Sequence, residues 1–521
     1  MKIPIWEPSG ERKRQANINR FIQSVNRRYR MKISSYNELH KWSHENLAEF
    51  WESLWNFCEI KASRRYDTVV TPGKHMIETK WFTGARLNFA ENLLRYRDNQ
   101  TAFIFRGEDK VRTSITYAGL YNEVMHLAKS LRDAGVKPGD RMVGFMPNMI
   151  ETATAMLASA AVGAVWSSCS PDFGVKGVLD RFGQIAPKIL FTADGYFYNG
   201  KTYDSLEKVA EILKELPSVE KVVVVPYTQK KPDISKVPKS VLYSDFRAKG
   251  DVEAEFNQLP PDHPLYIMYS SGTTGLPKCM VQGAAGVLLG QMREHKLHVD
   301  LKREDTIMYI TTCGWMMWNW LMCALASGAT IVLYDGSAFY PKPDSLWEIA
   351  QDEMISVFGT SARHLAELEK CGAKPGKTYD LVPLKTILST GSPLSPAGFE
   401  YVYRDIKEDV LLSSISGGTD INGCFLCGNP ILPVYKGELQ CKGLGMDVRA
   451  FDADGNPVIG EKGELVCLTP YPSMPLYFWD DKENQKYLSV YFSVYPGIWR
   501  HGDFVELTET GGAIIYKELE S

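Results

Sequence analysis

The sequence predicts an α/β protein, and three observations carry that prediction. From about residue 100 onward, short apolar runs alternate with amphipathic helical stretches. The helical stretches stop at glycines, as at Gly135 and Gly163, where a left-handed residue can close them. Toward the end the pattern changes: turn-rich segments separate short alternating runs, which predicts a β-rich region. A chain of 521 residues, 44% hydrophobic and 23% charged, has the composition of an ordinary globular protein and the length of roughly three domains.

The first 80 residues are rich in Trp, Arg, Lys and Glu. Ser43-His44-Glu45-Asn46 is read as opening a helix, with Leu47, Phe50, Trp51, Leu54 and Trp55 on one stripe. A helical cap over residues 1–80 is expected to pack on a larger body at 81–516. Leu120, Val124, Leu127, Ala128 and Leu131 form the next helical face. Pro138-Gly139-Asp140 turns the chain into a predicted strand at 141–146. Asn148, with Glu151 three residues on, reads as an N-cap and its partner for a helix running to about Gly163. Further strands are predicted at 188–192, 221–225, 265–269 and 410–414. Residues 307–334 carry no charged side chain, yet Thr311, Thr312, Gly314, Asn319, Ser327 and Gly328 interrupt them. They read as strand 306–311, buried helix 316–326 and strand 330–334 rather than a membrane span. Turns at 452–455 and 508–512 flank expected strands at 463–468 and 513–516.

A net charge of −3 gives no global drive toward nucleic acid or an anionic membrane. Ten cysteines lie in apolar stretches without a framework spacing, and residues 1–30 hold basic residues and no long apolar run. Reduced thiols in the cytosol are expected. Cys424 and Cys427 form a C-x-x-C, but no His or second pair stands at a zinc spacing, so both are read as core residues.

The most informative stretch is Tyr269-Ser270-Ser271-Gly272-Thr273-Thr274-Gly275-Leu276-Pro277-Lys278. Glycines let backbone N–H groups approach an anion, the hydroxyls add donors, and Lys278 adds a positive charge for phosphate oxygens. The order G-x-x-x-x-G-K-[ST] is not met here, which disfavours a P-loop kinase or GTPase.

This run resembles the phosphate loop of the acyl-adenylate-forming superfamily: acyl-CoA synthetases, luciferases and peptide-synthetase adenylation domains. Gly391-Ser392-Pro393 is similar to its adenine-side loop, and Ser416-Gly417-Gly418-Thr419-Asp420 to its Thr-acidic motif. Trp499-Arg500-His501-Gly502-Asp503 is similar to the Gly-Asp whose carboxylate grips ribose hydroxyls. Within the superfamily the resemblance runs closest to the acetoacetate–CoA ligases, on residues 84–92 and 166–174, and extends from about Trp6 to Tyr516.

The resemblance implies a large domain of stacked mixed sheets with helices plus a β-rich subdomain. It implies two half-reactions: acetoacetate and ATP give acetoacetyl-AMP, then CoA gives acetoacetyl-CoA, in ketone-body use for lipid synthesis. Lys278, Thr419 and Asp420 are the implied catalytic residues, with Asp420 as the Mg2+ contact where the superfamily more often has Glu. Ser271, Gly272, Thr273, Thr274, Gly275, Gly391, Ser392, Pro393 and Asp503 are implied for ATP, and Phe173, Gly174 and Arg181 for CoA. Trp315, Met316 and Met317 are expected to line the acyl pocket, with Trp318 or Asn319 as a donor to the second carbonyl. Gly417 stands where acetyl-CoA synthetases carry a pocket-closing Trp, so its lack of a side chain is expected to open that pocket.

The superfamily continues past its Ile-Ile-Tyr with a hinge and a small C-terminal α+β domain, whereas residues 517–521 read Lys-Glu-Leu-Glu-Ser. That domain is therefore expected to be absent, and acyl-CoA formation impaired. Two alternatives stay open: a nucleotide-binding pseudo-enzyme, and a ligase for another short carboxylate.

Overall fold

Two large sheets organise the chain in the computed structural model, which describes residues 1–270 and 275–516. The first sheet has eight strands, in the order Ser240–Leu242, Lys221–Val225, Ile189–Ala193, Arg141–Phe145, Val165–Cys169, Pro264–Ser270, Lys278–Gly283 and Tyr477–Phe478. Its first six strands are parallel, and the last two join antiparallel. The second has seven: Leu411–Ser414, Thr386–Thr390, Val357–Ser361, Thr306–Tyr309, Thr330–Asp335, Thr101–Gly107 and Val111–Thr116. Only its last pairing is antiparallel.

The two-residue period of these strands sorts their side chains between cores. Met142 joins a central cluster with helices Tyr117–Asp133 and Ile150–Val162, while Val143 and Phe145 turn to an outer cluster with Val178 and Phe182. In the second sheet Ile307 and Tyr309 face the central cluster and Met308 the opposite one, with Trp347 and Leu365. Helices thus lie between the sheets and on both outer faces. Burial on two faces explains why these strands read as continuous apolar runs.

Leu120, Val124, Leu127, Ala128 and Leu131 are fully buried as their spacing predicts, and Gly135 follows at φ +82°. Some boundaries move. Ser43 lies inside helix Tyr36–Glu45, which Ser35 opens through a capping box with Glu38; the striped helix is Leu47–Phe57, entered from Asn46. Asn148 does not cap helix Ile150–Val162, whose N-cap is Met149. Its amide instead donates to the carbonyls of Thr311 and Tyr334, linking that helix's entry to the second sheet. The uncharged stretch folds as strand Thr306–Tyr309, helix Met316–Met322, a 3-10 turn Cys323–Ser327 and strand Thr330–Asp335. Among the described residues no helix is long and apolar enough to cross a membrane.

The β-rich end is a five-stranded antiparallel sheet: Pro457–Val458, Val448–Phe451, Lys462–Cys467, Trp499–Leu507 and Ala513–Tyr516. A three-stranded ribbon, Ser416–Gly418, Gly423–Cys427 and Cys441–Lys442, stands beside it. The first 80 residues are not purely helical: Thr68–Thr71 pairs with Lys80–Thr83 across the expected boundary. Phe21, Phe50 and Trp51 belong to the same central core as Met142 and Ile307, and Trp51 meets Tyr471 edge to face at 5.3 Å. All ten cysteines carry free thiols; Cys424 and Cys427 are buried and only Cys371 is exposed. Residues 517–521 lie outside the described residues.

Candidate active site

The phosphate-type loop sits at the tip of a hairpin. Strand Pro264–Ser270 returns as Lys278–Gly283, with Ser270 opposite Lys278. Ser271, Gly272, Thr273 and Thr274 lie outside the described residues. Gly275 is exposed at φ +93°, a conformation that suits glycine. Lys278 opens the return strand, and its side chain is one-quarter exposed.

A tight turn between Ser416–Gly418 and Gly423–Cys427 carries Thr419 and Asp420. The N–H of Asn422 closes it onto the carbonyl of Thr419 at 3.1 Å. Gln282, fully buried on the return strand of the hairpin, donates to the carbonyl of Asp420 at 3.2 Å. Thr419 and Asp420 are thereby tied to the strand that carries Lys278, whose ammonium is 3.7 Å from Asp420 Oδ1.

Two further loops border the cavity that Thr419 lines. Gly391, at φ +91°, ends strand Thr386–Thr390 and exposes Ser392 and Pro393. In the five-stranded sheet, Val466 faces Arg500 while Glu464 faces Phe504, so the strand bulges over 501–503. The bulge re-aims Asp503, which stands 3.7 Å from His501 Nε2. Thr390, Gly391, Ser392, Pro393, Thr419, Asp503, Trp315, Met316, Met317 and Gly417 all line one cavity of about 210 Å³. A second cavity of about 840 Å³ adjoins it, sharing Trp315, Met317, Thr390 and Gly391 and bounded by Tyr196, Tyr198 and Asp335. Trp315, 64% exposed, stands between them at the start of helix Met316–Met322. Burial holds the Asp335 carboxyl up at about 7, against hydrogen bonds from the Tyr227 hydroxyl, at 2.8 Å, and the Phe197 backbone.

Several expectations are corrected by this geometry. Trp318 is fully buried and spends its indole N–H on Asn148 at 3.0 Å; neither it nor Asn319 lines the cavity. Gly417 does not open the pocket by omitting a side chain. A Cβ there would fall 1.9 Å from the Gly423 carbonyl oxygen and 2.6 Å from the Cα of Cys424, so glycine serves the close approach of two ribbon strands. Phe173, Gly174 and Arg181 do come together: Gly174 caps helix Val175–Ile185, and the Arg181 guanidinium lies over the Phe173 ring at 4.8 Å. None of the three lines either cavity.

Tyr491 and Gln282 hold the acidic turn, and no local motif announces either. Tyr491 lies on helix Gln485–Phe492, and its hydroxyl donates to Asp420 Oδ1.

A magnesium ion fits the donor set. Asp420 Oδ2 is directed toward Gly418, which lines the cavity; a Cβ on Gly418 would meet that oxygen at 3.1 Å. Among the described residues no group of three His, Cys, Asp or Glu could hold a metal by itself. Magnesium is commonly bound through one or two carboxylates plus substrate phosphates and water, and Asp420 supplies one carboxylate.

Comparison with known proteins shows the family. A family described as AMP-binding enzyme matches residues 89–478, and one described as acetyl-coenzyme A synthetase N-terminus matches 36–93. The acetoacetyl-CoA synthetase of Gallus gallus is 48% identical, over 98% of this chain and 78% of that protein. The acetoacetyl-coenzyme A synthetase of Rhizobium meliloti is 47% identical, over 98% and 79%. The solved structure of acetoacetyl-CoA synthetase from Streptomyces lividans superimposes with a TM-score of 0.94 at 41% identity, over 98% of this chain and 80% of that one. With the cleft, the hairpin and these likenesses in agreement, the chain belongs to the acetoacetyl-CoA synthetase family of AMP-binding enzymes.

Proposed function

We propose that the chain activates acetoacetate with ATP to acetoacetyl-AMP and pyrophosphate, and then transfers the acyl group to CoA with release of AMP. The observation that carries this reading is one cavity with nucleotide-type loops on one side and the apolar residues Trp315, Met316 and Met317 on the other. A substrate carboxylate on the apolar side would face an α-phosphate held at the loops. Its oxygen attacks the α-phosphorus, and the bond to the bridging oxygen of pyrophosphate breaks. Lys278 places positive charge beside phosphate oxygens that gain charge in the transition state, and the Thr419 hydroxyl donates to them. Asp503 accepts from two ribose hydroxyls and so orients the nucleotide. A magnesium ion held by Asp420 and the phosphates would neutralise charge on the leaving pyrophosphate.

The product is a mixed anhydride, so no side-chain nucleophile is needed: the CoA thiol attacks its carbonyl carbon and AMP leaves. The adjoining cavity beyond Trp315 supports an approach for the CoA arm, with Phe173, Gly174 and Arg181 near its outer side through neighbouring Pro171 and Asp172. The reading places the enzyme in the cytosol, supplying acyl-CoA for lipid synthesis. The test is pyrophosphate release with a panel of short acids, followed by thioester formation on adding CoA. Acetoacetate is expected to give the fastest release. Release no faster than with no acid would overturn the activity, and a faster different acid would overturn the substrate.

A further inference from the structure

Nothing in the proposed reaction employs Tyr491, yet it is the closest side-chain partner of Asp420. Its ring is 2% exposed and stacks on Trp499 at 3.8 Å with an 11° tilt. Phe478 and Tyr487 close the other sides, with ring centroids 6.0 and 5.5 Å away. A ring so enclosed holds its hydroxyl in one place. That hydroxyl donates to Asp420 Oδ1, the same oxygen that lies 3.7 Å from the Lys278 ammonium. The ammonium is also 5.6 Å from the centre of the Tyr491 ring.

The ion pair is long. A charge-assisted N–H···O bond is ordinarily about 2.7–2.9 Å. The backbone of the acidic turn is already pinned by Gln282, so the direction of the Asp420 side chain is what remains to be set. A phenol is a hydrogen-bond donor at neutral pH and Asp420 offers only acceptors, so the bond runs from Tyr491 to the carboxylate.

We propose that Tyr491 is a positioning residue that divides charge between Asp420 and Lys278: by holding one oxygen of Asp420 it keeps the carboxylate from closing on the lysine, which leaves the ammonium available to phosphate oxygens and the second carboxylate oxygen directed into the cleft. The inference rests on the ATP reading given above. It also accounts for a short acid at this position. Asp has one methylene fewer than Glu, and the phenol supplies the restraint that a longer side chain would find by reach.

The experiment measures ATP affinity by calorimetry in EDTA, where no metal contributes, for the wild type, Tyr491→Phe, Asp420→Asn and the double variant. In Tyr491→Phe the ring and its stacking remain, and Asp420 is freed to pair with Lys278. Metal-free ATP binding should weaken about three- to tenfold, the range of one weakened charge-assisted contact. Asp420→Asn should bind metal-free ATP at least as tightly as the wild type. The double variant should recover that affinity, because the competing charge is gone. Electron paramagnetic resonance of Mn2+ added with ATP should show weaker ion binding in Tyr491→Phe.

Unchanged metal-free affinity in Tyr491→Phe, or a double variant as weak as Tyr491→Phe, would overturn the inference. If thermal melting shows that Tyr491→Phe is unfolded, Asp420→Asn alone decides: weaker metal-free binding would mean the carboxylate does not compete for Lys278. A wild type that binds no ATP would overturn the nucleotide reading and this inference together, whereas wild-type binding with an indifferent Tyr491→Phe would overturn this inference alone.

Discussion

Lys278, beside Asp420, and Gly417, in the lining of the cavity, do different work. Lys278 is the partly exposed first residue of a return strand that is otherwise buried, and its own side chain holds little of the core, so Lys278→Ala should spare the fold. ATP affinity should fall by about 1.5–3 kcal/mol, the scale of a hydrogen bond to a charged group. Calorimetry with a parallel thermal melt checks both halves of that expectation. Gly417 is held by packing. Since a Cβ would meet the Gly423 carbonyl at 1.9 Å, Gly417→Ala must push the ribbon strands apart. Overpacking of this kind costs about 1–3 kcal/mol. The melt should drop before acid preference changes; a variant as stable as the wild type with a new preference for acetate would restore the idea that Gly417 faces the acyl group.

Elements place these residues, and most elements were readable. The strands at 221–225 and 513–516 begin and end where their patterns predict, because β-branched and aromatic runs between turn residues leave little choice. Caps were less legible. Asn148 has the right residue type and spacing for a cap, yet its amide bonds across to the second sheet. Ser35 is a cap in fact: its hydroxyl accepts from the Glu38 N–H at 3.2 Å, and Glu38 returns to the Ser35 N–H. Ser35→Ala should cost about 1 kcal/mol, felt locally. Hydrogen exchange within helix Tyr36–Glu45 should speed up about fivefold while the sheets stay protected. The bulge over 501–503 carries no sequence signal of its own beyond Gly502, and it stands where Asp503 joins the cavity lining.

Across the whole molecule, the edge where the two sheets meet the larger cavity carries a pH-dependent burden. Asp335 ends a central strand of the second sheet, and burial lifts its carboxyl to about 7 from a usual 3.8. The folded chain therefore holds a proton there between about pH 4 and 7 that the unfolded chain has released. Stability from this group is present at low pH and is lost as pH rises toward 7. Asp335→Asn should consequently melt later than the wild type at pH 8 and close to it at pH 5. A melt difference that does not change between those two pH values would show that Asp335 keeps an ordinary acidity. Glu353 acts in the opposite direction. Burial opposes its charge, but Arg112 and Arg106 at 2.8 Å outweigh that and hold it below its usual range. Its contribution is present at neutral pH and is lost as acid protonates it.

The sequence by itself determined the α/β class, the helix faces and the chemistry-bearing runs from 269 to 278, 391 to 393, 416 to 420 and 499 to 503. Each is a local property: a period, a turn residue, a cluster of donors beside a strand. Tertiary structure alone decided which of those runs share a space. Residues far apart in the chain, such as Trp315, Gly391 and Asp503, line one cavity only because the second sheet, a ribbon and a bulged strand end at the same edge. It also decided what Gly417 is for and gave Asp420 its partner. Tyr491 and Asp420 are 71 residues apart, and no local spacing encodes a contact that packing of Trp499, Phe478 and Tyr487 creates.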